Sequence, residues 1–176
     1  RLVTIFLNDL SFLGELVNHV LAHKPESFES YDDHTFNLAM RFFPQIAKRL
    51  GGGIISLGLS FIPEFWLVVT GGVPKLVLLA EFSDETEEAA VKRAEEAAKD
   101  VRDAFHVPVR VLHSEQEAEK YWVIRRESFA LLRQNLHGVR TAPFIDDFVV
   151  RPEFLPEFLP KLNAILGKYK LIYTIA

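Results

Sequence analysis

Residues 75–113 carry the pattern that decides the fold: KLVLLAEFSDETEEAAVKRAEEAAKDVRDAFHVPVRVLH. The apolar run 75–82 is typical of a buried strand, and residues 84–87 resemble a helix-capping sequence. The helix that follows has an apolar stripe, and its other face carries Glu/Lys pairs four residues apart, which is typical of a solvated surface. The stripe consists of Val91, Ala94, Ala98, Val101 and Phe105. Residues 107–113 form the next predicted strand.

The same alternation extends on both sides of this unit. Helical spacing or capping sequences predict four further helices, and extended patterns predict four further strands. The helices cover about 12–21, 36–50, 115–135 and 155–166, and the strands cover about 2–7, 27–31, 140–150 and 170–175. Ser114 and Glu117 form a capping box at the start of the third of these helices. Short βαβ segments favour an α+β fold of ferredoxin-like halves, with a largely antiparallel sheet and helices packed on one face.

A doubly wound parallel sheet is the second choice of architecture. It gains no support from the strand-to-helix turns, because the chain contains no G-x-G-x-x-G sequence of the kind that holds a dinucleotide.

Composition narrows the class of protein. The 176 residues suffice for one domain, taken as 1–176, or for two small subdomains. The net charge is -4 and no basic stripe is present, so nucleic acid is not an expected partner. Absence of cysteine excludes disulfides and thiolate chemistry, and suits the cytoplasm or the cytoplasmic face of a membrane. Both ends are strand-like, which predicts a piece of a longer chain.

An apolar insert occupies residues 51–74, bracketed by glycines and too interrupted for a membrane span. One interpretation is that it packs against the domain or against a neighbouring part of the protein. A second is a substrate-pocket lid lined by Phe61, Phe65 and Trp66. Weak attachment to a membrane surface is the third.

The histidines do not form a recognisable catalytic or metal-binding motif. His19 and His23 are four residues apart on a predicted helix, but no acidic third ligand follows at helical spacing. We therefore predict no metal site and no self-sufficient catalytic set within this chain.

Arg125 is the strongest polar candidate. It shares a helix face with Tyr121, Trp122, Phe129 and Leu132. A guanidinium on an aromatic stripe needs an anion or a route to water. Its fork suits a substrate carboxylate, and the alternative is an internal ion pair, for example with Asp146 or Asp147.

Three stretches together resemble the C-terminal domain of FAD-linked oxidases, the family that includes glycolate oxidase subunits, D-lactate dehydrogenases and D-2-hydroxyglutarate dehydrogenases. They are residues 76–82, 121–127 and 145–159, and residues 29–33 resemble the turn into that domain's second helix. The resemblance covers nearly all of the chain except 51–74. It implies a domain that covers the reactive face of FAD, while a separate N-terminal domain holds most of the cofactor.

The resemblance also implies roles for single residues. Arg125 matches the position that grips the substrate carboxylate, and Asp147 matches an acidic strand position. Ile145 and Phe129 stand where the D-2-hydroxyglutarate type has Lys and Thr, which argues against a dicarboxylate substrate. The family's metal-binding and acid–base histidines would follow Ala176.

The expected activity of the intact protein is therefore oxidation of a 2-hydroxy carboxylate such as glycolate or D-lactate, with hydride passing to flavin N5, and we expect the isolated fragment to be inactive. The alternative is a stand-alone ferredoxin-like module that binds a small molecule or has a regulatory role.

Overall fold

The computed structural model describes residues 1–41, 72–135 and 149–169, apart from the side chains of Leu38 and of residues 127–135. Four strands and five α-helices occupy these ranges. In chain order they are β1 (Leu2–Leu7), α1 (Leu13–Ala22), β2 (Ser27–Asp32), α2 (Asp33–Arg41), β3 (Leu76–Glu81), α3 (Glu87–Phe105), β4 (Val109–Leu112), α4 (Glu115–Asn135) and, after a 3₁₀ turn at Pro152–Phe154, α5 (Leu155–Lys168).

The four strands form one antiparallel sheet in the order β2-β3-β1-β4. Helix α1 connects β1 to β2, and α3 connects β3 to β4, so each connection passes over one intervening strand. This is the split βαβ arrangement of a ferredoxin-like unit. The predicted α+β class and antiparallel sheet are confirmed, and the parallel alternative is wrong for the described strands. The strand predicted at 170–175, and all but the last two residues of the one at 140–150, lie outside the described residues.

One face of the sheet packs against α1 and α3. Val3, Ile5 and Leu7 alternate along β1 toward this face, and α3 presents a stripe of small side chains to it. Those small residues are Ala90, Ala94, Ala97 and Ala98. Alanine adds little bulk, so the backbone of α3 can approach the sheet closely. Helices α1 and α3 therefore pack on one face of the sheet, as predicted.

The other face is covered as well. Leu2 and Phe6 of β1 point to it, and Phe36 of α2 and Tyr121 of α4 pack against it. Because helices cover both faces of β1, every one of its six residues is buried, including the polar Thr4. The prediction of helices on one face thus applies to α1 and α3, and α2 and α4 add a second helical layer.

Local capping interactions fix the ends of the helices. The Thr86 hydroxyl accepts the Ala89 N–H at 3.2 Å at the start of α3, and His106 ends that helix in the left-handed region with φ 54. At the start of α4 the Ser114 hydroxyl accepts the Glu117 N–H at 3.2 Å. The Glu117 carboxylate in turn accepts the His113 N–H at 3.3 Å, so the predicted capping box forms, with its donor one residue earlier than usual.

Helix α5 and the 3₁₀ turn before it lie against α1 at Gly14. A Cβ atom at Gly14 would lie 2.8 Å from the Glu153 Cα and 2.9 Å from the Pro152 carbonyl oxygen. Glycine is thus required here by the close approach of two backbones. Among the described helices, none has both the length and the apolar character that crossing a bilayer demands.

Candidate substrate-facing surface

Arg125 lies in the first half of α4, which two neighbouring side chains anchor on the sheet. Tyr121, one turn earlier, is buried with its ring 6.4 Å from that of Phe6, and the adjacent Ile124 is also buried. These contacts fix the rotation of α4 about its axis. They leave Arg125 at the rim of the helix–sheet interface, near the edge strand β2.

At this rim Arg125 forms an ion pair with Glu29 of β2 through its Nε atom. The two side chains are 32% and 34% exposed, so the pair is neither fully solvated nor sealed in the core. An ion-pair partner was one of the two interpretations of Arg125 from the sequence. The structure supplies Glu29 for that role, whereas Asp146 and Asp147, named as examples, lie outside the described residues.

Other polar groups occupy the same face of the sheet. Arg110 of β4 donates from Nη1 to the Tyr121 hydroxyl at 3.4 Å, and the Lys120 ammonium lies 5.4 Å from the centre of the Tyr121 ring. Thr4, which is paired with Arg110 in register, has a fully buried hydroxyl that lacks a hydrogen-bond partner among the described residues. This face therefore combines three cationic side chains with aromatic rings, a setting suited to an anionic group.

A cleft of about 270 Å³ lies on the opposite face, between β2, α1 and α5. Its walls are mainly apolar side chains, and Glu29 is its one charged lining residue. The lining also includes Leu13, Val17, Phe28, Leu78, Phe158 and Leu162. The cleft is smaller than the roughly 300–1,000 Å³ of ordinary ligand pockets, and it offers few groups that would orient a polar substrate.

The described strand-to-helix connections do not fit a complete FAD molecule. A dinucleotide needs a glycine-rich turn that brings its pyrophosphate to a helix N-terminus. The connections at 8–12 and 82–86 contain no glycine, and α3 begins with Glu87 and Glu88, which would repel a phosphate. These two connections therefore offer no glycine-rich cradle for a dinucleotide.

Several predicted site residues cannot be placed. Asp147 and the three predicted lid residues Phe61, Phe65 and Trp66 lie outside the described residues. Two contacts of the structure were not predicted from the sequence. Glu29 gave a signal only through its place in the family-like stretch 29–33, and Asp100 lies beside His19 and His23 although it is on another helix.

Comparison with known proteins supplies the family. The model of the family described as "FAD linked oxidases, C-terminal domain" matches residues 1–176. Comparisons with curated proteins and with solved structures returned no match. The match covers the whole chain and agrees with the α+β fold and with the lack of a dinucleotide cradle in its described part. The chain therefore belongs to the family of C-terminal domains of FAD-linked oxidases.

Proposed function

We propose that this domain forms the substrate side of a flavin-dependent enzyme that oxidises a 2-hydroxy carboxylate such as glycolate or D-lactate. Family membership supports the oxidoreductase part of the proposal, since chains of this family also have an N-terminal FAD-binding domain. The redox chemistry would belong to FAD. The residues of this chain would bind and orient the substrate.

The observation that carries the choice of substrate is the position of Arg125. Its side chain is about one third exposed and is held by Glu29 at the rim of an aromatic helix–sheet interface. A side chain held in this way loses less conformational entropy on binding than a freely moving one. The planar fork of Arg matches a carboxylate, which is the group common to all 2-hydroxy acids.

Glu29 has a second consequence for this proposal. A guanidinium carries five N–H donors, so one carboxylate does not saturate it. A substrate carboxylate arriving at Arg125 would share the guanidinium with Glu29 or replace it. Glu29 would then compete with the substrate, and it would also keep Arg125 in place between turnovers. Asp147, the other proposed substrate-binding residue, lies outside the described residues.

The alternative of a stand-alone small-molecule module gains little from the described residues. Such a module needs a self-sufficient pocket, and the 270 Å³ cleft is apolar and small.

The test is Arg125→Met in the full-length enzyme, with glycolate and D-lactate as substrates. Loss of a charge-assisted pair worth about 1.5–3 kcal/mol predicts a KM that rises by roughly 10- to 150-fold. The matched control is Arg126→Met. Arg126 is the next residue on α4, is mostly exposed, and pairs with Glu119 at 2.6 Å. The KM of this control should change by less than about threefold, as expected for a surface pair. An Arg125→Met enzyme with unchanged KM for the acids would assign Arg125 to structure.

A further inference from the structure

Three metal-ligating side chains meet on the helical side of the sheet that carries α1 and α3. His19 and His23 lie one turn apart on α1, and Asp100 lies on α3. The Oδ2 atom of Asp100 is 2.8 Å from the Nε2 atom of each histidine. All three ligand atoms lie within 4.8 Å of one another. The acidic ligand nearest to the two histidines is thus supplied by the neighbouring helix.

The backbone and the rings that present these atoms are held in place. Leu16 and Val20 of α1 and Ala97 and Val101 of α3 are buried in the core between the two helices. The His19 ring packs edge-on against Phe105, with 5.3 Å between ring centres and an interplanar angle of 84°. Fixed rings reduce the entropy that a ligand set loses when it closes around an ion.

Both histidines point one ring nitrogen at the same carboxylate oxygen of Asp100. The His23 Nε2 atom is hydrogen-bonded to Asp100 at 2.8 Å. The His19 Nε2 atom lies equally close to Asp100, yet it is screened from solvent and makes no hydrogen bond to any described residue. Two imidazole nitrogens therefore converge on one carboxylate oxygen, and the His19 contact does not have the geometry of a hydrogen bond. An ion between the three atoms would satisfy all of them.

The geometry and the ligand types suit zinc. Two imidazoles and a carboxylate are ligands that Zn²⁺ accepts, with Zn–N distances of about 2.0–2.1 Å, which place tetrahedral ligand atoms roughly 3.3 Å apart. The two histidine-to-carboxylate separations of 2.8 Å need to widen by about half an ångström, and the two histidine nitrogens already lie within 4.8 Å of each other. Because Asp100 and both histidines are partly exposed, water can occupy a fourth position. Imidazole ligands disfavour Mg²⁺ and Ca²⁺, which prefer oxygen.

We propose that His19, His23 and Asp100 form a binding site for a divalent transition-metal ion, Zn²⁺ in the first instance, that links α1 to α3. The site lies on the other side of the sheet from Arg125, and it is independent of the proposed substrate. It also uses residues other than the histidines that the family resemblance places after Ala176.

The test measures how many Zn²⁺ ions the full-length wild type and its variants bind after a chelator has removed all metal. Wild type should bind one more equivalent of Zn²⁺ than the double variant His19→Asn/His23→Asn, measured by isothermal titration. The matched control is His106→Asn, which removes an exposed histidine at the end of α3, and asparagine tolerates the left-handed conformation found there. This control should keep the wild-type stoichiometry. Equal stoichiometry in wild type and double variant would overturn the proposal.

A second variant distinguishes the loss of a zinc ligand from misfolding of the protein. Asp100→Asn keeps the shape of a half-exposed side chain and removes its charge. We expect this variant to have the wild-type circular dichroism spectrum and to lose the same equivalent of Zn²⁺. In the wild type, Co²⁺ in place of Zn²⁺ should give the visible absorption of a tetrahedral site, and Mg²⁺ should not compete with it. A folded Asp100→Asn protein that binds Zn²⁺ as wild type does would contradict the assignment.

Discussion

The two faces of the sheet are covered by helices of different character, although the same strands supply both. Toward α1 and α3 the packing is almost wholly apolar, with small alanine side chains on α3. Toward α2 and α4 the apolar core also contains Tyr31 and Tyr121, and polar or charged groups surround it. Those groups are Thr4, Glu29, Arg110, Lys120 and Arg125. The first face is built for stability, whereas buried polar groups on the second are costly and are more easily explained by function.

The largest expected effect concerns the stability of the apolar face. Leu16→Ala removes a fully buried side chain and should lower the free energy of unfolding by about 2–5 kcal/mol, measured by urea denaturation. Because the substrate would lie on the other side of the sheet, the KM of the folded enzyme should stay the same. The control is Leu21→Ala on the same helix, where the side chain is 44% exposed and the loss should be well below 1 kcal/mol. A large KM change in Leu16→Ala would show that the two faces are not separate in function.

A smaller effect is expected at the face of the sheet that carries α2 and α4, where one substitution should lower the KM. Glu29→Gln removes the carboxylate that holds Arg125 and would compete with the substrate. A partly exposed ion pair is worth about 0.5–1 kcal/mol, so the KM for the hydroxy acid should fall roughly two- to fivefold. Glu119→Gln, which removes the partner of Arg126, serves as the control and should leave the KM unchanged. If the KM rises in Glu29→Gln, Glu29 positions Arg125 more than it competes.

The smallest expected effect concerns the hydrogen bond that caps the start of α3. Thr86→Ala removes the hydroxyl that caps α3 and should lower the free energy of unfolding by about 1 kcal/mol without altering KM. Thr86→Ser keeps a hydroxyl in the same place and should restore most of that stability. Equal losses in both variants would mean that the cap contributes nothing measurable.

Local features of the fold were predictable from the sequence because local chemistry determines them. The strand and helix within 75–113 follow from residue periodicity, and the caps at Thr86 and Ser114 follow from short side-chain-to-backbone hydrogen bonds. The largely antiparallel sheet was predicted from the short βαβ segments, whereas the strand order was not. The second helical layer was not predicted, although Leu2 and Phe6 on one side of β1 and the apolar residues on its other side indicate burial on two sides.

Contacts between segments that are distant in the sequence were harder to predict. Glu29 meets Arg125, and Asp100 meets the two histidines, only because the sheet order and helix packing bring these segments together. No spacing rule within one helix encodes such a pair. The sequence pattern of α1 therefore gives no sign of the contact with Asp100 of α3.

The central claim is that Arg125 recognises the carboxylate of a 2-hydroxy acid, and substrate discrimination tests it most directly. The measurement is the ratio of kcat/KM for D-lactate to that for D-lactamide, in which a neutral amide replaces the carboxylate, in wild type and in Arg125→Met. We predict that the ratio falls by roughly 10- to 150-fold in the variant, because only the charged substrate loses its partner. An equal loss for the acid and the amide, which leaves the ratio unchanged, would contradict the claim and assign Arg125 to the architecture of the domain.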